Sequence, residues 1–118
     1  MKKIFIILIT LCLVACSNNN ITKDAVLTHD EVVKLIDKGA IIVDVRTDVE
    51  YNEGHIENAL SIPLDTISKE TLNEKIQDKN SYIIVYCKSG NRSKKAQEEL
   101  TNLGYTNVYN LGSIDNYQ

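Results

Sequence analysis

Two short runs of nearly unbroken apolar, mostly β-branched residues constrain this fold most tightly: Ala-Ile-Ile-Val-Asp-Val at 40–45 and Tyr-Ile-Ile-Val-Tyr at 82–86. A strand with one wet face alternates apolar and polar positions. A run that is apolar at nearly every position needs cover on both faces, the condition of a strand inside a parallel sheet. Helix signals surround these runs. Thr28-His29-Asp30-Glu31 has the form of a capping box, with Leu27 and Val32 placed as its hydrophobic staple. The helix it opens takes Val32, Val33, Leu35 and Ile36 as its apolar face and stops at Gly39. Residues 49–54 hold a turn of helix, 59–62 a short strand, and 68–76 a capped helix with Leu72 and Ile76 inward. After the second strong strand comes a polar loop, 87–92. A helix follows over 93–103, with Ala96, Leu100 and Leu103 as its buried stripe and Gly104 as its stop. A last short strand at 107–110 precedes a tail containing Gly112 and Tyr117. Strands alternating with helices predict an α/β domain with a mainly parallel central sheet flanked by helices.

At 118 residues the chain has room for one domain with one modest core. Its first segment stands apart: Met1-Lys2-Lys3 and the apolar residues 4–14 have the layout of an export signal. A membrane-spanning helix needs about 20 apolar residues, and this run breaks off at Cys16-Ser17-Asn18. Leu13-Val14-Ala15-Cys16 resembles the lipobox of bacterial lipoproteins. That resemblance implies cleavage before Cys16, a lipid on its sulfur, and a mature chain held on the outer side of a bacterial membrane, in the periplasm or at the cell surface. The expected organisation is therefore a lipoprotein signal peptide at 1–15, a lipidated cysteine and flexible tether at 16–25, and a folded domain at 26–118. Loss of Lys2 and Lys3 takes the formal charge from −3 to about −5. With no basic stripe interleaved with aromatics, nucleic acid is not expected as a partner.

Three cysteines are present, but Cys12 would leave with the signal and Cys16 would carry lipid. Cys87 is then the sole free thiol, and an internal disulfide is impossible. A lone thiol in an oxidising compartment is exposed to oxidation and mispairing, which favours a reactive role for it. One cysteine and two scattered histidines, His29 and His55, lack the spacing of a metal site, so neither metal nor cofactor is expected.

Cys87 falls at the carboxyl end of a buried strand, directly before a tight loop and a helix start, the place where open α/β sheets hold ligands. Successive backbone N–H groups in such a loop converge on one point, and the helix adds the positive end of its dipole. This cradle favours an anionic sulfur, the nucleophilic form of cysteine. Gly90 permits the positive backbone angle a tight cradle demands. Arg92 and Lys88 are the nearby cations, and Arg92 offers a two-pronged grip on an incoming oxyanion.

Several linked blocks extend this reading: Val43-Asp44-Val45-Arg46, Glu50-Tyr51, Gly54-His55-Ile56-Glu57-Asn58-Ala59, Ser61-Ile62-Pro63 and Cys87-Lys88-Ser89-Gly90-Asn91-Arg92-Ser93. In this order they resemble single-domain rhodaneses from about Leu27 to the end of the chain. The resemblance implies a rhodanese-like fold and a sulfurtransferase. In such an enzyme Cys87 takes a sulfane sulfur from a small donor such as thiosulfate or polysulfide and passes it to a thiol or cyanide. It also implies that Lys88, Ser89, Gly90, Asn91, Arg92 and Ser93 hold the transferred sulfur or its donor. Asp44 and Arg46 brace the site, and His55 supports packing. Asp44, Arg46, Glu50 and His55 are read as tying loops together by hydrogen bonds and ion pairs, since nothing requires a general acid or base. A monomer is expected. Where relatives carry Gly-Gly and Trp near the end, this chain has Gly112-Ser113 and Tyr117.

Two rival readings compete. Phosphatases of the Cys-x5-Arg type use a similar cradle, but here the arginine is the fifth residue after Cys87 and the sixth is Ser93. The shorter loop suits a sulfur atom better than a tetrahedral phosphate. The other rival is a non-catalytic rhodanese-like module that binds a partner or senses redox state.

Overall fold

The computed structural model describes residues 20–117. The expected signal segment, Cys12 and Cys16 lie outside them. Four strands form one parallel sheet: β1 (Ile41–Asp44), β2 (Leu60–Ser61), β3 (Tyr82–Cys87) and β4 (Asn107–Ser113), in the order β2-β1-β3-β4. All three pairings are parallel, with Ile42 opposite Ile84 and Val43 opposite Val85 at the centre. Helix α1 (His29–Asp37) precedes β1, and α2 (Asp48–Glu53), α3 (Lys69–Lys75) and α4 (Asn91–Asn102) fill the three connections between strands.

The two apolar runs become the two central strands because each face of the sheet is covered. Ile83, Val85 and Cys87 point toward one core layer, completed by Leu72 of α3 with Ile76, and Ala96 and Leu100 of α4. Ile84 and Tyr86 point the other way, against Val32 and Leu35 of α1 and Ile56 and Leu111. Only alternate residues of a strand share a face. The double cover therefore explains why neither parity in β3 is polar.

The capping box at Thr28 forms as expected, with the Thr28 hydroxyl accepting from Glu31 N and the Glu31 carboxylate accepting from Thr28 N. Leu27 and Val32 are both buried beside it. Val33 and Ile36, expected on the apolar face of α1, are instead 43% and 36% exposed. A nine-residue helix lying on a sheet buries only one narrow stripe, here Val32 and Leu35, so the flanking pair stays at the rim.

Three further departures bear on the site. Helix α4 starts at Asn91 rather than at residue 93, so the loop after Cys87 shrinks to three residues. Strand β4 runs on past residue 110 through a bulge at Leu111, since Val85 faces Asn110 while Tyr86 faces Gly112. The Asn110 side chain accepts from Gly112 N at 2.8 Å, which supplies the bond the ladder loses at the bulge. Finally, part of the segment expected as tether is fixed to the domain: Gln97 donates to the Lys23 carbonyl at 2.8 Å, Lys23 reaches the Thr106 carbonyl, and Ile21 packs on the α1-side core. Tyr117, in a short 3-10 turn at 114–117, is partly buried against the same core layer.

Candidate active site

Strand β3 delivers Cys87 to the carboxyl edge of the sheet, and the chain turns at once into α4. Gly90 makes that turn as the residue before the helix, at φ 101° and ψ −16°. A side chain at Gly90 would meet nothing nearer than the Gly112 Cα at 3.8 Å. The backbone angle, not crowding, is what demands glycine there. Lengthened by its bulge, β4 reaches far enough to hold the loop, and Ser113 donates to the Lys88 carbonyl at 2.6 Å.

The turn folds its N–H groups back over the sulfur. Gly90 N lies 2.9 Å from Cys87 Sγ. Burial pushes the thiol up; hydrogen bonding from the Ser93 hydroxyl and from the Ser93, Gly90 and Ser89 N–H groups outweighs it, and the thiol is more acidic than usual. The Ser93 hydroxyl has one hydrogen to give. Its geometric acceptor is the Gly90 carbonyl at 3.0 Å, so the main-chain donors are the steadier part of this effect. Cys87 has no exposed surface. It belongs to the α4-side core layer, and in the loop that follows it Lys88 and Ser89 are exposed.

Arg92 and Ser93 sit in the first turn of α4, with Ser93 buried. Arg92 forms a two-pronged pair with Glu50 of α2, Nη1 to Oε1 at 2.6 Å and Nη2 to Oε2 at 3.0 Å. This guanidinium draws the Glu50 carboxyl down to about 2. Asn91 is exposed at the helix start. Of the loop residues 88–93 expected from the sequence, the cradle is therefore made by Ser89, Gly90 and Ser93, with Arg92 turned to Glu50.

Asp44 and Arg46 form the floor beside the cradle. The Asp44 carboxylate accepts from Arg46 N, Nε and Nη2, the last at 2.7 Å, and from the Tyr86 phenol at 2.7 Å. Arg46 continues to the Gly54 carbonyl at 2.6 Å, and the Tyr86 phenol accepts from Ile56 N. Burial, then the Asp44 carboxylate, pushes the Tyr86 phenol well above its ordinary range. Every buried side-chain polar atom among the described residues has a partner. A buried pair of charges is tolerable only on those terms. His55 is exposed, stacks on Tyr51 with ring centres 3.7 Å apart, and bonds through Nδ1 to the Tyr51 carbonyl.

Residues 28–118 match the family model of the rhodanese-like domain. The chain belongs to that family. Among its relatives is the thiosulfate sulfurtransferase PspE of Escherichia coli, 39% identical over 72 residues, which are 61% of this chain and 68% of that protein. A tRNA uridine(34) hydroxylase of Erwinia tasmaniensis is 40% identical over 87 residues, 70% of this chain. This rhodanese-like chain spans only 25% of that larger protein. Among solved structures, a rhodanese from E. coli described as holding anions superposes with a TM-score of 0.61 at 36% identity, covering 65% of this chain and 89% of its own. The BH2092 protein of Bacillus halodurans gives a TM-score of 0.66 at 33% identity over 78% and 69% of the two chains.

Two features of the site were beyond sequence reasoning. The partnership of Glu50 with Arg92 joins residues 42 apart, and no local spacing announces it. The Tyr86 phenol as a second partner residue of Asp44 is also hidden, since Tyr86 reads simply as a strand residue.

Proposed function

We propose that this protein is a sulfurtransferase that carries a sulfane sulfur on Cys87. The observation that supports this reading best is the 2.9 Å approach of Gly90 N to Cys87 Sγ, within a ring of main-chain donors that makes the thiol more acidic. The Cys87 thiolate attacks the outer sulfur of a donor such as thiosulfate. A new S–S bond forms to Cys87, the donor's S–S bond breaks, and sulfite leaves with the electron pair. The persulfide anion occupies the same ring of N–H groups. An acceptor thiolate or cyanide then attacks the outer sulfur and the Cys87 thiolate departs, ready for another cycle. Lys88 to Ser93 serve as the donor and sulfur site, and Asp44 with Arg46 keeps the strand ends in place beneath it. Chemistry of this kind needs neither metal nor cofactor.

We also propose that the site works in the cell envelope. Processing before Cys16 and a lipid on its sulfur hold the chain, as a monomer, on the outer side of a bacterial membrane. The lipobox-like Leu13-Val14-Ala15-Cys16 supports this, and intact mass of the protein from membranes tests it; a chain beginning at Met1 contradicts it.

Incubation of the protein with thiosulfate or polysulfide, followed by mass analysis of the Cys87 peptide, tests the transfer. One added sulfur, absent in Cys87→Ser, is expected. No added sulfur from any sulfane donor contradicts transfer and leaves a binding or redox-sensing module.

A further inference from the structure

Arg92 lies close enough to Cys87 for their charges to interact and offers the two-pronged grip an anionic donor needs, yet its fork is already filled. Both Glu50 oxygens engage both terminal nitrogens of Arg92, the same face that a sulfonate end would need. Glu50 is itself anchored. As the third residue of α2 it accepts from Thr47 N at 3.3 Å and from the Thr47 hydroxyl at 3.1 Å, completing a capping box. The pair also stands between two open grooves. Arg92 lines one with Val45, Pro63, Leu64 and Lys95, while Glu50 lines the other with Arg46, Glu53 and Lys88. Arg46 is committed to Asp44, so Arg92 is the arginine whose commitment a donor can change.

Resting on the sulfur-transfer reading of Cys87, we propose that Glu50 sets the donor selectivity of the site: it occupies Arg92 until an anionic donor displaces it. An anion must break the Glu50–Arg92 pair before using the guanidinium, whereas an uncharged electrophile approaches Cys87 with the pair intact. Glu50 thereby lowers affinity for small dianions relative to uncharged or weakly charged donors. It acts through Arg92 and is a positioning residue.

The test compares the full wild-type chain with Glu50→Gln, which keeps an oxygen for the capping box and removes the charge. Cys87 is alkylated with anionic iodoacetate and with neutral iodoacetamide, and the Cys87 peptide is followed by mass. The side chains of Arg92 and Glu50 are 34% and 25% exposed, so solvent screening limits the pair's worth and the expected gain in the iodoacetate-to-iodoacetamide rate ratio is about fivefold. In an Arg92→Ala background the same change should leave the ratio flat, because the arginine that Glu50 guards is gone. With thiosulfate, Glu50→Gln should lower KM by a similar factor and leave kcat nearly unchanged. Glu50→Asp, one methylene too short for both nitrogens, should shift the ratio in the same direction and serves if Glu50→Gln does not fold. A ratio that stays flat or falls in folded Glu50→Gln overturns the proposal. The alkylation ratio needs no sulfur transfer: a raised ratio with no persulfide on any donor sinks the transfer reading alone, and normal persulfide with a flat ratio sinks the role of Glu50 alone.

Discussion

Asp44 and Glu50 are both carboxylates paired with arginine, yet their surroundings give them different work. Asp44 is fully buried and Arg46 is 7% exposed, so removing either charge strands the other in a medium that solvates it poorly. Asp44→Ala is expected to cost about 3 kcal/mol of folding stability, measured by urea unfolding; a loss within a few tenths of a kcal/mol contradicts the role of Asp44 as the floor of the site. Glu50 lies near the surface, and its pairing is read better by pH. Its carboxyl falls from an ordinary 4.5 to about 2 in the folded chain. A depressed acid contributes stability that is complete above the unfolded value and lost as pH falls through the folded one. The difference in urea midpoint between wild type and Glu50→Gln should therefore be constant above about pH 5 and shrink toward pH 2. Groups common to both proteins cancel in this comparison, so a difference that does not change over this range rules out the pairing as a source of stability.

At the scale of elements, the site depends on how abruptly β3 becomes α4. Gly90→Ala adds a methyl group at ordinary contact distance from the Gly112 Cα but forces an L-residue to φ 101°. It should cost about 1–2 kcal/mol and move the Gly90 N–H off the sulfur, raising the thiol's alkylation midpoint. Unchanged stability and midpoint would show that the turn does not shape the cradle. The central strands were legible because nothing but a doubly covered strand explains Ile-Ile-Val twice, and Thr28 and Gly104 marked helix ends by their own chemistry. The start of α4 was not legible. The helix was expected to open at Ser93, but it begins two residues earlier at Asn91, after the left-handed Gly90, and Ser93 turns its hydroxyl back to the Gly90 carbonyl. The length of β4 was hidden for a related reason, since the strand expected at 107–110 runs on through a bulge that only the Asn110 side chain, accepting from Gly112 N, makes possible. The place of Cys87 at the end of β3 and the tight glycine turn after it were legible. The occupancy of Arg92 was not, because it depends on how α2 lies against α4.

Across the whole molecule the chain enters the domain at the end of the sheet remote from the nucleophile. Asn20 and Ile21 share a groove with Tyr82 and Asn107, the first residues of β3 and β4, whereas Cys87 is the last residue of β3. Six residues of strand separate the two ends by roughly 17 Å. A lipid on Cys16 would therefore leave the site facing away from the bilayer. Modification of Cys87 by a charged, membrane-impermeant thiol reagent should proceed at equal rates for lipidated protein on vesicles and for lipid-free protein; a many-fold slower reaction on vesicles would show the site turned toward the surface. The fold and the family membership both converge on one small region, a buried sulfur beneath a three-residue turn. Its ionisation is the property from which the proposed chemistry follows. The most direct measurement is the pH dependence of Cys87 alkylation by iodoacetamide, read on the Cys87 peptide in the folded protein and again in the same protein unfolded by urea. The folded thiol should reach half its maximal rate at a lower pH than the unfolded one; an equal or higher midpoint in the folded protein would contradict the thiolate cradle.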